Sequence, residues 1–255
     1  MNMDIKNSMH DNITVQGIVL DTSLIKEYDK RLVILTAELG RITVFANGAR
    51  RKNSKLTAVS QKFVMGSFVL REGRDSYTLV SADIRETFLD MSYDLEKMSY
   101  ASYACEVVGY FTSEGMGAKD ELNLLYVTFK AILSARQSLG LIKTIFECKV
   151  LDIEGFRLEM ERCVKSGVET NLHHISLEDG GLITDAQLTR SKNPEYISDD
   201  AIYAIRFILS RGINALYSFD VSIATFEEIK KLVSRYFAMH TDRHFKSLDI
   251  LNSIL

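Results

Sequence analysis

The chain has 255 residues, enough for one large domain or two modest ones, with 46% apolar and 25% charged residues, an ordinary globular balance. Disorder is excluded as the main state, because this much apolar material can offset the entropy of ordering. No apolar run reaches the ~20 residues of a membrane span. The stretch 122–133 is broken by Lys130, for example, and no charged head with an apolar run and cleavage site opens the sequence. A cytoplasmic protein is expected. Three widely spaced cysteines, Cys105, Cys148 and Cys163, form no Cys-x-x-Cys pair, which fits a reducing compartment and small buried thiols.

The net charge of −3 hides a segregation. Residues 1–80 hold 12 Lys+Arg against 8 Asp+Glu, a balance of +4, which leaves −7 for the rest. Between Arg41 and Arg74 there are eight bases (Arg41, Arg50, Arg51, Lys52, Lys55, Lys62, Arg71 and Arg74) and one acid, Glu72. A basic face for a polyanion, joined to an acidic body, accounts for this pattern.

In chain order, residues 13–20 read as a first strand, with Gly17 marking a bulge or a close approach. After the polar stretch 26–31, residues 32–36 form a second strand and 41–46 a third, ended by the turn pair Asn47-Gly48. Residues 63–70 and 77–84 make two more, joined by a turn through Gly73. Five short strands in about eighty residues close most economically into a small barrel, which removes exposed edges. An oligonucleotide-binding (OB) barrel leads that class, and the pattern alone leaves a small SH3-like barrel open.

Beyond residue 86 the period is helical. Helices are expected over 90–110, from an Asp120 cap to about 138, over 141–150, and from Gly155 to about Cys163. Residues 166–194 lose periodicity. Ser198 caps a helix over 199–209, Thr225-Phe226-Glu227-Glu228 forms a capping box before 229–240, and 245–255 is a last amphipathic segment. The reading is an α+β chain: an N-terminal five-stranded OB-type β-barrel (1–82) followed by an all-α C-terminal domain (83–255).

Enzymatic signatures are missing. There is no phosphate-binding Gly-x-x-x-x-Gly-Lys loop and no Gly-x-Ser-x-Gly elbow. Gly115-Met116-Gly117 follows a helix, and Asp199-Asp200 suits helix capping better than catalysis. His240 and His244 have a metal-gripping spacing only if a helix runs through Asp242, and they lack a third ligand. The basic segment is the informative feature, since its cations would neutralise phosphates in a salt-sensitive, sequence-tolerant way. Phe45, Phe63, Phe68 and Tyr77 are interleaved with it, where core packing is the simpler account of each. Tyr28 is the best candidate for an exposed ring on which a base can stack.

The order Gly17-Ile18-Val19-Leu20, then Glu27-Tyr28-Asp29-Lys30-Arg31-Leu32-Val33-Ile34-Leu35-Thr36-Ala37-Glu38-Leu39-Gly40-Arg41, then Ala46-Asn47-Gly48-Ala49-Arg50-Arg51 resembles the start of the bacterial RecO family of DNA repair proteins. Tyr236-Phe237-Ala238-Met239-His240, Phe245-Lys246-Ser247-Leu248 and Gly180-Gly181-Leu182 resemble later signatures of that family. The resemblance implies an OB domain followed by a helical one, and binding of single- and double-stranded DNA. It implies ATP-independent strand annealing and partnership with RecR. It further implies help in loading RecA on DNA coated by single-stranded DNA-binding protein (SSB), whose acidic tail the family recognises. Lys130, Arg136 and Lys143, flanking apolar helices, are candidates to rim the pocket for that tail. Many members carry a four-cysteine zinc site. Here its first pair reads Cys163-Val164-Lys165-Ser166 and its second Thr184-Asp185-Ala186-Gln187, a degenerate zinc-finger-like segment over 163–190. No structural zinc is expected, because one thiolate with the adjacent His173 and His174 makes a poor tetrahedral set. The alternative kept open is an RNA-binding or regulatory barrel without annealing activity.

Overall fold

The computed structural model describes residues 12–74 and 76–254. Readings that touch residues 1–11, Asp75 and Leu255 lie outside the described residues. The chain divides into two compact units, the first holding residues up to Asp94 with Cys105–Leu122, the second Leu95–Ala104 with the chain from Asn123 onward.

The first unit is built on β1 (Asn12–Ile25), β2 (Asp29–Thr36), β3 (Gly40–Ala46), β4 (Val64–Glu72) and β5 (Tyr77–Thr87), with a short helix α1 (Leu56–Val59) between β3 and β4. The strands close into a barrel in the order β1-β2-β3-β5-β4. All neighbours are antiparallel except β3 and β5, which pair in parallel at Val44↔Tyr77 and Phe45↔Thr78. This is the OB arrangement. Alternation decides what fills it. Leu32, Ile34, Ile42, Val44, Phe68, Leu70 and Leu79 form the inner cluster, so the residues between them, Arg31, Val33, Arg41, Thr43 and Phe45, face outward by the period of two. Gly17 answers a close approach, as its position in the first strand predicted: a Cβ there would lie 2.6 Å from the Leu35 carbonyl oxygen. The register of β1 against β2 shifts between Val19 and Asp21, a bulge that bends β1. Its first half pairs with β4 and its second half with β2.

The strands run longer than their apolar runs. β2 begins at Asp29 because only residues 26–28 are needed for the turn, with Lys26 at φ 52°. β5 continues to Thr87.

The helices are α2 (Leu95–Phe111), α3 (Lys119–Ser134), α4 (Leu139–Ile153), α5 (Asp199–Ser210), α6 (Ile223–Met239) and α7 (Lys246–Ile254). α4 is the central one, buried at almost every position from Leu141 to Leu151 and packed on α5 and α6. Ser138, Ser198 and Ser222 cap α4, α5 and α6 by accepting from the amides of Leu141, Ala201 and Thr225. α6 therefore starts earlier than its Thr225 capping box suggested. Glu228 serves another helix instead, accepting from the Ser198 amide at 2.8 Å and hydroxyl at 2.6 Å.

Two expectations are corrected here. Residues 155–163 are not a helix, since Gly155 takes φ +86° and ends α4. The C-terminal region is not wholly helical either. β6 (His174–Ser176), β7 (Gly181–Ile183) and β8 (Glu195–Tyr196) form a small antiparallel sheet in the order β7-β6-β8. Strands of three, three and two residues are too short to carry a legible period. Gly180-Gly181 makes their turn, with Gly180 at φ +86° and Gly181 so close to the Glu159 carbonyl that no Cβ fits. Among the described residues no helix is long and apolar enough to cross a membrane.

Candidate nucleic-acid interface

The tip of the β1–β2 hairpin and the turn after β3 are tied together. The Gly48 amide donates to Asp29 Oδ1 at 2.7 Å, and the Arg50 amide donates to the Tyr28 carbonyl at 3.0 Å. The Arg50 guanidinium donates to the Glu27 carbonyl at 3.0 Å. Arg51 then lies over the Tyr28 ring, 5.8 Å from its centroid, a cation–π contact. Tyr28 is 43% exposed. Its phenol is held above the usual value by the Glu27 hydrogen bond and by burial, with Arg51 opposing, so it is neutral at physiological pH. Residues more than twenty positions apart thus share one cationic, aromatic tip. Lys52 and Lys55 are exposed beside it on the same turn.

A second group emerges from strand register. Arg31 pairs with Phe45, Phe45 with Thr78, and Thr78 with Arg71. Paired residues project to the same side of a sheet, so these four form one transverse row on the outside of β2, β3, β5 and β4. Neighbours in the row are about 4.8 Å apart. Arg31, three residues from Tyr28, places the row roughly 10 Å along the strand from the tip. Arg31 and an outward, half-buried Phe45 were not singled out from the sequence as contacts. The signal was present in the strict alternation of 41–46, which puts Phe45 opposite Val44 once Val44 is assigned to the core.

The remaining cations are placed differently. Arg74 is exposed in the β4–β5 turn. Arg41 sits toward the other end of β3, and its Nε donates to the Thr112 carbonyl at 3.1 Å. Lys62 packs its ammonium 5.1 Å from the Phe63 ring. Phe63 and Phe68 are buried in the core, and Tyr77 packs against it. Among the described residues none of Arg50, Arg51, Lys52, Lys55, Arg71 and Arg74 is paired with a carboxylate.

In the helical unit, Lys130 is exposed with its ammonium 5.7 Å from the Tyr126 ring, and Arg136 is exposed in the turn between α3 and α4. Lys143 does not reach an open rim. Its ammonium donates to Glu147 Oε1 at 2.7 Å and lies 5.1 Å from the Tyr103 ring, while the Tyr103 hydroxyl donates to the same oxygen at 2.5 Å. Glu147 is 2% exposed, and a buried carboxylate needs such donors.

The zinc-finger-like segment does not fit a metal. Burial disfavours ionisation of the Cys163 thiol. The Ser166 hydroxyl and the amides of Thr184, Lys165 and Ser166 outweigh that effect by hydrogen bonding, and lower its pKa to about 7. The Thr184 hydroxyl also donates to Cys163 Sγ at 3.9 Å. His174 Nδ1 meets Asp185 at 3.0 Å and His173 Nδ1 meets Asp199 at 3.6 Å. Among the described residues no three His, Cys, Asp or Glu side chains converge. His240 caps the end of α6 and stacks on Phe156 at 4.4 Å, whereas His244 contacts Asp249 at 2.8 Å. The i,i+4 geometry that a metal grip requires is lost because the helix ends before Asp242.

The closed barrel and the helical region after it define a two-part protein whose first domain is of the oligonucleotide-binding class. Residues 9–88 match the family described as Recombination protein O N terminal, and residues 92–249 match Recombination protein O C terminal. The chain belongs to the RecO family of DNA repair and recombination proteins. It is 30% identical to the DNA repair protein RecO of Alkaliphilus metalliredigens, over 95% of this chain and 99% of that protein. It is 28% identical to the RecO proteins of Acetivibrio thermocellus, over 95% and 97%, and of Bacillus pumilus, over 95% and 94%.

Proposed function

We propose that this chain is a non-enzymatic recombination mediator that holds single- and double-stranded DNA on the barrel and anneals complementary strands without ATP. The observation that carries the reading is the joint presence of Arg50 and Arg51, which no carboxylate of the described residues neutralises, around the exposed Tyr28 ring, beside the Arg31–Phe45–Thr78–Arg71 row. Guanidinium groups in this arrangement neutralise phosphates, and Tyr28 and Phe45 give bases a face to stack on. Two strands held on one cationic surface repel each other less, so pairing proceeds with no bond broken. Lys52, Lys55 and Arg74 extend the cationic surface, and Arg41, oriented by the Thr112 carbonyl, and Lys62 add to the positive charge of the barrel.

In this reading the protein works with RecR to help RecA load on SSB-coated single strands, in the cytoplasm and at the nucleoid. The exposed Lys130 and Arg136 receive the acidic SSB tail, and Lys143 serves the fold. No cofactor is required, and the 163–190 segment is held by hydrogen bonds to Cys163 in place of zinc. The test is the pairing rate of fluorescent complementary oligonucleotides with and without the protein, free and SSB-coated, in the absence of ATP. Faster pairing is expected. An unchanged rate together with tight RNA binding would replace the mediator reading with a regulatory RNA-binding barrel.

A further inference from the structure

The helical domain carries an apolar surface that none of the roles above uses. α5 buries Ala201, Ala204, Ile205, Ile208 and Leu209 on its core side, yet it also turns Tyr203 out at 70% exposure. Phe207, one helical turn on, lies on the same side. Its ring meets that of Phe219 at 4.6 Å, and the pair floors a cleft of about 290 Å³ whose wall is Tyr203. Ile223, which follows the lining residue Ser222 at the start of α6, is 83% exposed. A second cleft of about 480 Å³ shares Tyr203 and Asp200 in its lining. Large apolar side chains gathered around open clefts mark an interaction surface more often than scattered ones do.

The rims are acidic. Asp200 and Asp220 line the smaller cleft, and Glu169, Asp199 and Asp200 the larger. Among the described residues Asp200, Asp220 and Glu169 have no ion-pair partner, and Asp199 has only His173 at 3.6 Å. Two cations lie close by, Arg206 in the lining of the larger cleft and Arg211 over the floor of the smaller, against four rim carboxylates. Arg206 donates to the Met160 carbonyl at 2.6 Å and faces Glu161 at 3.6 Å, and Arg211 lies 4.5 Å over the Phe207 ring.

We propose that this double cleft docks a short cationic, apolar segment of a partner protein. An aromatic or aliphatic side chain would enter the cleft beside Tyr203, and its Lys or Arg neighbours would meet Asp200, Asp220, Asp199 and Glu169. Charge complementarity selects this occupant, because an acidic segment would set like charges against each rim. The surface is therefore separate from one that takes an acidic tail.

The probe is a short fluorescein-labelled peptide of alternating Lys and Leu with a central Phe, titrated with the full chain and followed by anisotropy. Binding is expected, and Tyr203→Ala weakens it by about tenfold, as loss of an aromatic anchor does. Asp200→Asn with Asp220→Asn weakens it comparably. Tyr203 is exposed, so its replacement leaves the fold intact. The same peptide with Ser for Leu and Phe, or Glu for Lys, binds far more weakly. Equal binding of the Ser peptide, or equal loss on replacing the remote Glu178 and Asp185 by Gln and Asn, would reduce the effect to net charge and overturn the proposal. Self-association of the chain that Tyr203→Ala abolishes would overturn it too, by naming a second copy as occupant.

Discussion

The barrel tip and the ion-paired part of the helical body use their cations in opposite ways. In the body several of them face carboxylates: Lys143 and Glu147 at 2.7 Å, Lys149 and Asp152 at 2.8 Å, Lys165 and Asp179 at 2.7 Å, Arg235 and Glu195 at 2.6 Å. At the barrel tip Arg50 and Arg51 are positioned by a backbone carbonyl and a tyrosine ring, and no carboxylate of the described residues neutralises them. A cation answered internally supports the fold. One that is oriented but left uncompensated is available to an anion from outside. Excess charge in the sequence therefore becomes a site only where the structure supplies orientation without neutralisation.

Substitutions at both kinds of cation test this difference. The largest expected effect is in the body. Lys143→Met leaves the Glu147 carboxylate buried with the Tyr103 hydroxyl as its remaining donor, and removal of one partner from a buried pair costs about 3 kcal/mol. Urea unfolding should record that loss while DNA affinity of the folded protein stays unchanged. A weaker complex with an acidic SSB-tail peptide and unaltered unfolding would mean that Lys143 belongs to the tail pocket after all. On the barrel, Phe45→Ala should weaken single-stranded DNA binding by about 1–2 kcal/mol, the range for loss of one base-stacking ring. Its effect on unfolding should be smaller than that of Lys143→Met. Were Phe45→Ala to destabilise the barrel by more than it weakens binding, the outer row would be packing rather than interface.

The barrel was legible because its strands are β-rich runs separated by turn signals, with strict alternation in β3 and Asn47-Gly48 marking where it ends. The small sheet of β6, β7 and β8 was not, because two- and three-residue strands leave no period. The false helix after Gly155 arose from apolar residues, Leu158 and Met160, that are buried in irregular chain. At the candidate interface, Tyr28, Arg50 and Arg51 could be chosen from composition and turn position. Their mutual contacts depend on Asp29 reaching Gly48 across nineteen positions, which no local pattern encodes. The Arg31–Phe45–Thr78–Arg71 row requires the register of three strand pairs, including the parallel β3–β5 pairing that closes the barrel. Lys143 shows the converse. Its charge was visible in the sequence, and the buried carboxylate that engages it was not.

The most direct measurement is the salt dependence of single-stranded DNA affinity for the parent chain and for the Arg50→Ala, Arg51→Ala double variant. Each phosphate neutralised contributes about −0.7 to the slope of log affinity against log salt for a single strand. Two oriented guanidinium groups at the tip predict a slope shallower by roughly 1.4 in the double variant, with an unchanged unfolding midpoint. A slope identical to that of the parent chain would place the DNA on some other surface and contradict the account.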